Sequence, residues 1–222
     1  IFDEFKDAED DANYRKELPV PRGLVSLKEL MILGMGIVLA QLAVILVFFP
    51  KLLVIWLVVL LYLCLMGKEF FVPEWLKKHQ FWYVTSHMFI IPLIDILASG
   101  LDWALENAAP SPGLGLFFLV SYFNGIVLEI GRKIRTPENE RVGVLTYSSM
   151  LGLRKALLLW IIILAVTLLC SLAAVYFAGY GAVAYVIFGG IFVICSVPAW
   201  LSLHKITEKR AKMMEYTSAL WT

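Results

Sequence analysis

Six uninterrupted apolar runs, at about 30–49, 52–71, 81–105, 114–130, 155–178 and 182–203, decide most of what this chain can fold into. A helix rises about 1.5 Å per residue, so some twenty residues cross the roughly 30 Å of hydrocarbon in a bilayer. Lipid offers the backbone no hydrogen-bond partners, which leaves helices or a closed barrel as spanning structures. Barrel strands are short and alternate in polarity, and these runs are long and continuous. The hydrophobic share of 60% and the mean hydropathy of +0.80 lie well beyond the roughly 45–50% apolar content of soluble chains. The expected fold class is therefore all-α, a polytopic transmembrane helical bundle, with residues 1–222 forming a single domain. The tail from about 209 to 222 reads as the start of a further span. Gly34, Gly36, Gly189 and Gly190 are expected to allow close helix approach, and Pro92 and Pro198 to bend their helices. Cys64, Cys170 and Cys195 lie inside apolar runs without metal or redox spacing and read as core residues.

Charge orients the bundle. With residues 1–30 placed inside, every one of the 19 Lys and Arg residues except Lys51 falls in an inside loop or tail. That asymmetry predicts a cytoplasmic location for the N-terminal segment and for the loops near 68–78, 132–155 and 205–212. A net charge of +1 gives a nucleic-acid partner no electrostatic support.

The most polar stretch is Ile1–Leu30, where Asp3, Glu4, Asp7 and Asp11 recur at intervals of three and four. On a helix such residues share one side, and like charges there repel by a few tenths of a kcal/mol per pair. An acidic run beside a span is commonly a solvated face. The alternative is a site for a divalent cation, and magnesium, which takes oxygen ligands and bridges carboxylates to phosphates, is the economical choice. Behind the acids come Tyr14-Arg15-Lys16, Pro19-Val20-Pro21-Arg22-Gly23 and Val25-Ser26, then the first span.

This order of acids, base, turn and span resembles the first motif of the UbiA-type intramembrane prenyltransferases, Asn-Asp-x-x-Asp-x-x-x-Asp followed by an Arg-Pro and a Pro-x-Gly turn. Asp3 stands at the Asn position and Glu4 at the first Asp, while Asp7 and Asp11 match. The family's second motif sits after four further spans, as Asn124–Gly152 does here. Gly143-Val144-Leu145-Thr146 and Leu151-Gly152 match its ending. Glu129, Glu138 and Glu140 are its acids, but Lys133 stands where the first Asp is expected and Pro137 interrupts the middle. The four spans between the motifs and the two after them resemble spans three to eight of a nine-span family. The chain is accordingly expected to be a piece of a longer protein, starting with Ile rather than Met.

The resemblance implies Mg2+-dependent transfer of a polyprenyl group from a prenyl diphosphate to a hydrophobic, lipid-soluble acceptor. Asp7 and Asp11 take the catalytic place, with Asp3, Glu4, Asp7, Asp11, Glu129, Glu138 and Glu140 as metal ligands. Arg15, Arg22, Lys68, Arg132 and Lys133 are the cations considered for the diphosphate, each also explicable as an inside anchor. Phe70, Phe71, Trp82, Tyr83 and Tyr122 are aromatic faces suited to an allylic cation. His87, Asp95 and Asp102 are ionisable groups in the third span, where such groups are costly and often functional. The rival readings are a transporter or ion-binding membrane protein, and a degenerate family member without turnover. Transporters hold coupling ions near the midplane on broken helices, whereas these acids gather at the inner rim.

Overall fold

A computed structural model describes residues 2–6, 8–140 and 144–222, excepting the side chains of Phe2, Asp3 and Asp10. Asp7, Arg141, Val142 and Gly143 therefore lie outside the described residues. All regular elements among the described residues are helical. Six helical stretches are long and apolar enough to cross a membrane: Leu27–Phe48, Pro50–Gly67, Gln80–Trp103, Pro112–Arg132, Leu153–Phe177 and Ala182–His204. They match the six apolar runs of the sequence. Between 6% and 28% of the most apolar stretch of each is buried, so their Leu, Ile, Val and Phe side chains are mostly exposed or half-buried rather than enclosed. A helix apolar all round and left exposed suits lipid, and the chain is a multi-pass integral membrane protein.

The chain forms two compact units, residues 1–83 with 96–109, and residues 84–95 with 110–222. In the first unit, α1 (Phe2–Lys6) and α2 (Ala8–Tyr14) carry the acidic segment. A turn follows, in which the Gly23 N–H bonds the Val20 carbonyl at 2.9 Å. Gly23 sits at φ +72°, a left-handed conformation that glycine adopts without penalty. The span α3 (Leu27–Phe48) then starts on a reciprocal cap: Ser26 Oγ accepts the Glu29 N–H, and Glu29 accepts the Ser26 N–H at 2.8 Å.

The second span, α4 (Leu53–Gly67) with the 3-10 turn Pro50–Leu52 before it, ends four residues short of the sequence expectation. Glu69, Phe70 and Phe71 all take positive φ, at 50°, 52° and 61°. Such left-handed backbone costs roughly 1–2 kcal/mol for each residue bearing a Cβ. The short helix α5 (Pro73–Lys78) leads on to α6 (Gln80–Met88) and α7 (Ile90–Trp103), which together make the third span. The break between them at Phe89 precedes Pro92, which has no N–H for the Met88 carbonyl. Lys51, the lone basic residue that the sequence reading leaves outside the inner loops, donates to the Leu105 carbonyl at 3.1 Å and to Asn107 at 3.0 Å.

The second unit packs α8 (Pro112–Arg132), α9 (Tyr147–Leu151), α10 (Leu153–Phe177), α11 (Ala182–His204) and α12 (Glu208–Trp221). Trp160 is its centre: fully buried among Val127, Ile130, Leu157, Leu164 and Met214, it donates Nε1–H to the Val127 carbonyl and to Ser218 Oγ, each at 3.0 Å. Close approach is made by Gly125 and Gly131 rather than by Gly36, Gly189 and Gly190. A Cβ on Gly36, Gly189 or Gly190 meets nothing within 4 Å, whereas one on Gly131 would lie 1.9 Å from Ser218 Oγ and one on Gly125 would lie 2.3 Å from Ile91 Cδ1. Of the three cysteines read as core, Cys195 is buried and Cys64 is exposed.

Candidate active site

The acidic segment is tied to the first unit by side chains of both signs. Asp11 is 5% exposed, and Arg15, one helical turn on, bonds its Oδ1 at 3.2 Å. Glu4 is half-buried and Glu9 exposed. The side chains of Asp3 and Asp7, two of the expected ligands, lie outside the described residues. Lys6, between the acids, turns to a different partner. Its ammonium is 2.8 Å from Glu69 Oε1 and donates to the Tyr83 hydroxyl at 2.6 Å, 5.0 Å from the centre of that ring. Burial opposes the charge on Lys6, but the Glu69 carboxylate and the Tyr83 hydroxyl outweigh it and hold the ammonium above the usual lysine range.

The other cations expected near this segment are exposed. Arg22 lies within the Pro19–Gly23 turn, and Lys68 ends α4, its backbone N–H bonding the Cys64 carbonyl at 3.2 Å. The aromatic residues in the same unit pair with one another: Tyr62 and Phe70 meet edge to face at 5.4 Å, and Trp75 lies 6.4 Å from Trp82. Phe71 stays exposed.

In the second unit Glu129 and Lys133, four residues apart, form an ion pair. Glu129, 4% exposed, lies 2.6 Å from Lys133 Nζ and also contacts the Arg132 guanidinium. Both cations sit in or just past the last turn of α8, where the helix dipole favours positive charge. Glu140 is engaged with hydroxyls, taking bonds from Thr146 Oγ1 at 2.7 Å and Ser148 Oγ at 2.9 Å. Ser148 Oγ in turn accepts the Arg135 N–H at 2.8 Å, and the Tyr147 N–H bonds the Lys133 carbonyl at 3.1 Å. The loop after α8 is thereby folded back on its own helix end. Glu138 is exposed in the 3-10 turn Pro137–Asn139.

Within residues 84–95 and α8, His87 is buried with Nδ1 3.4 Å from Ser86 Oγ. Tyr122 donates to the Thr85 carbonyl at 3.2 Å and meets Phe89 edge to face. Asp95 Oδ2 and Asn124 Oδ1 are buried and accept no hydrogen bond within the described residues. Asp102, in the first unit, is exposed.

Among the described residues no three His, Cys, Asp or Glu side chains converge as a cation site. The donor chemistry of the first segment nevertheless fits magnesium. Its described donors, Glu4 and Asp11, are hard carboxylate oxygens, and Asp11 is buried beside a partly exposed arginine that can swing away. Glu129 fits less well, because its charge is already balanced by two neighbours. Sequence reasoning missed Glu69, whose role depends on a left-handed turn that no glycine announces. It also missed Ser148, which nothing but its distance from Thr146 recommends.

Comparison with curated proteins and with solved structures gives no match. A model of the UbiA prenyltransferase family matches residues 1–220. With its six spans, and with the match covering both acidic segments, the chain belongs to the UbiA prenyltransferase family.

Proposed function

We propose that this protein transfers a polyprenyl group from a prenyl diphosphate to a lipid-soluble acceptor, with Mg2+ held by the first acidic segment. The observation that carries the reading is the run Asp3-Glu4-x-x-Asp7-x-x-x-Asp11 within a match to the family over residues 1–220. Bound magnesium would neutralise charge building on the leaving diphosphate. In the reaction the allylic C–O bond breaks with its electron pair staying on the diphosphate. The acceptor's nucleophilic atom then bonds the allylic carbon, and a proton leaves the acceptor.

Each step asks something of this chain's own residues. Asp7 and Asp11, with Asp3 and Glu4 beside them, supply oxygen ligands. Arg15 and Arg22 follow within the same segment and offer their charge to diphosphate oxygens, Arg15 once it leaves Asp11. Lys68, Arg132 and Lys133 are the further cations, and Glu138 and Glu140 complete the acids of the second motif. Asp95 and Asn124, with buried oxygens accepting no hydrogen bond from the described residues, suit the orientation or deprotonation of an acceptor hydroxyl or ring N–H. We place both acidic motifs on the cytoplasmic side, because the basic residues gather there.

A non-catalytic family member is the second reading, and the pairing of Glu129 with Arg132 and Lys133 favours it. One experiment separates the two. Full-length protein is incubated with Mg2+, labelled prenyl diphosphates of several chain lengths and a membrane lipid extract, and products are identified by mass. A labelled, protein-dependent product lost on chelation supports the enzyme. Donor binding without any product supports the second reading.

A further inference from the structure

A lysine inside an acidic cation-binding segment would ordinarily be expected to pair with the acids beside it, lowering their pull on a metal. Lys6 sits between Glu4 and Asp7 yet bonds Glu69, beyond the end of the second span, and Tyr83, in the first turns of the third. Glu69 is 8% exposed, so its carboxylate is held away from water. It is also the first residue of the left-handed run Glu69–Phe71, which Phe71 N–H to the Lys68 carbonyl and Val72 N–H to the Glu69 carbonyl close at 2.9 Å each. Backbone held in such a conformation by residues with side chains persists only where its surroundings fix it, and it gathers at functional positions. Here the strained turn delivers a carboxylate to the one lysine of the run Asp3–Asp11.

We infer that Lys6 is a positioning residue, whose ammonium, clamped between Glu69 and Tyr83, docks the acidic segment on the second and third spans and keeps its own charge off the segment's carboxylates, which serve a divalent cation. The compact ammonium suits the task, since its separate donors reach an acid and a phenol at 2.8 and 2.6 Å. Glu69 balances its charge, so Lys6 does not compete with the metal. The inference rests on the cation-binding reading of the first segment, and residues that hold metal ligands in place from outside commonly govern metal affinity by about tenfold or more.

The test uses the full chain in lipid nanodiscs, with Lys6→Met, Lys6→Arg, Glu69→Gln and Tyr83→Phe. Three quantities are read: Mn2+ binding by electron paramagnetic resonance, the Mg2+ dependence of prenyl transfer, and trypsin cleavage after Arg15, Lys16 and Arg22. Lys6→Met and Glu69→Gln should each weaken Mn2+ binding and raise the Mg2+ requirement about tenfold, with kcat at saturating Mg2+ little changed. Both should speed cleavage several-fold, Tyr83→Phe should do so less, and Lys6→Arg should recover most of the loss. Unchanged Mn2+ affinity and cleavage in both Lys6→Met and Glu69→Gln would overturn the inference, as would a fall in kcat with no change in metal requirement. If the parent chain transfers no prenyl group with any donor, the enzymatic reading fails. Cleavage of the segment then decides the clamp: faster in the variants upholds it, unchanged refutes it.

Discussion

Asp11 and Glu129 are both buried carboxylates beside arginines, yet their surroundings suit them to different work. Asp11 has one long contact to a partly exposed Arg15, whereas Glu129 is closed on by Lys133 and Arg132 together. A cation can displace the first pairing more readily than the second. Asp11→Asn is therefore expected to cut prenyl transfer by on the order of a hundredfold or more, the usual cost of losing one stabiliser of developing charge. Asp7→Asn carries the same expectation from its place in the motif, and Glu9→Gln, exposed on the same helix as Asp11, should change little. Steady-state rates of the three variants check this, and equal losses would return the segment to a solvated acidic face. Lys133 allows a second test. Its ammonium sits on Glu129, at the place where the family's second motif begins its acids, and a fixed positive charge there can meet a diphosphate oxygen directly. Lys133→Ala should weaken donor binding and turnover, and Lys133→Asp should recover part of the turnover at raised Mg2+. Unchanged donor affinity in Lys133→Ala makes the lysine an inside anchor only.

Among the elements, the tightest fit is α8 against α12. Gly131→Ala would put a Cβ 1.9 Å from Ser218 Oγ, 2.8 Å from Ser218 Cβ and 3.0 Å from Trp160 Nε1. Removing the hydroxyl alone cannot make room, so Ser218→Ala should rescue only part of the damage. Overpacking of this kind costs about 1–3 kcal/mol, and Gly131→Ala should lower the thermal unfolding midpoint where Gly189→Ala does not. Equal midpoints would mean that α12 shifts freely along α8. The six spans could be read from sequence because their apolar runs are as long as a bilayer is thick, and Ser26 with Glu29 marks the first one's start. The packing glycines could not be read. Gly36 and Gly189 lie in apolar context as Gly125 and Gly131 do, and only the helix facing each one tells them apart. The turn Glu69–Phe71 was hidden for a related reason: left-handed backbone usually advertises itself through glycine, and here it carries a glutamate and two phenylalanines. Lys6 was visible among the acids, but its partner Glu69 is 63 residues away, so the pairing is tertiary information.

For the whole molecule, the proposed reaction depends on membrane sidedness, because it asks that one diphosphate be met by both acidic motifs, and that requires a common face. Basic residues decide sidedness chiefly in short loops near span ends, and the proposed orientation leaves Lys51 alone on the outer side. It is also the residue whose ammonium is taken up by the Leu105 carbonyl and Asn107, so its exception to the rule has a local explanation. The prediction is that Glu9→Cys, Lys77→Cys, Glu138→Cys and Glu208→Cys react with an impermeant thiol reagent from the cytoplasmic side, and Ser111→Cys from the other. The background for this labelling must lack native cysteines, since Cys64 is exposed. Glu9→Cys and Glu138→Cys carry the weight of the test. The first sits within the acid run on α2 and the second beside Glu140, in positions exposed to solvent, so labelling reports the side of each motif directly. If the two react from opposite sides, no single diphosphate can reach both motifs, and the first acidic segment must hold the donor by itself or not at all.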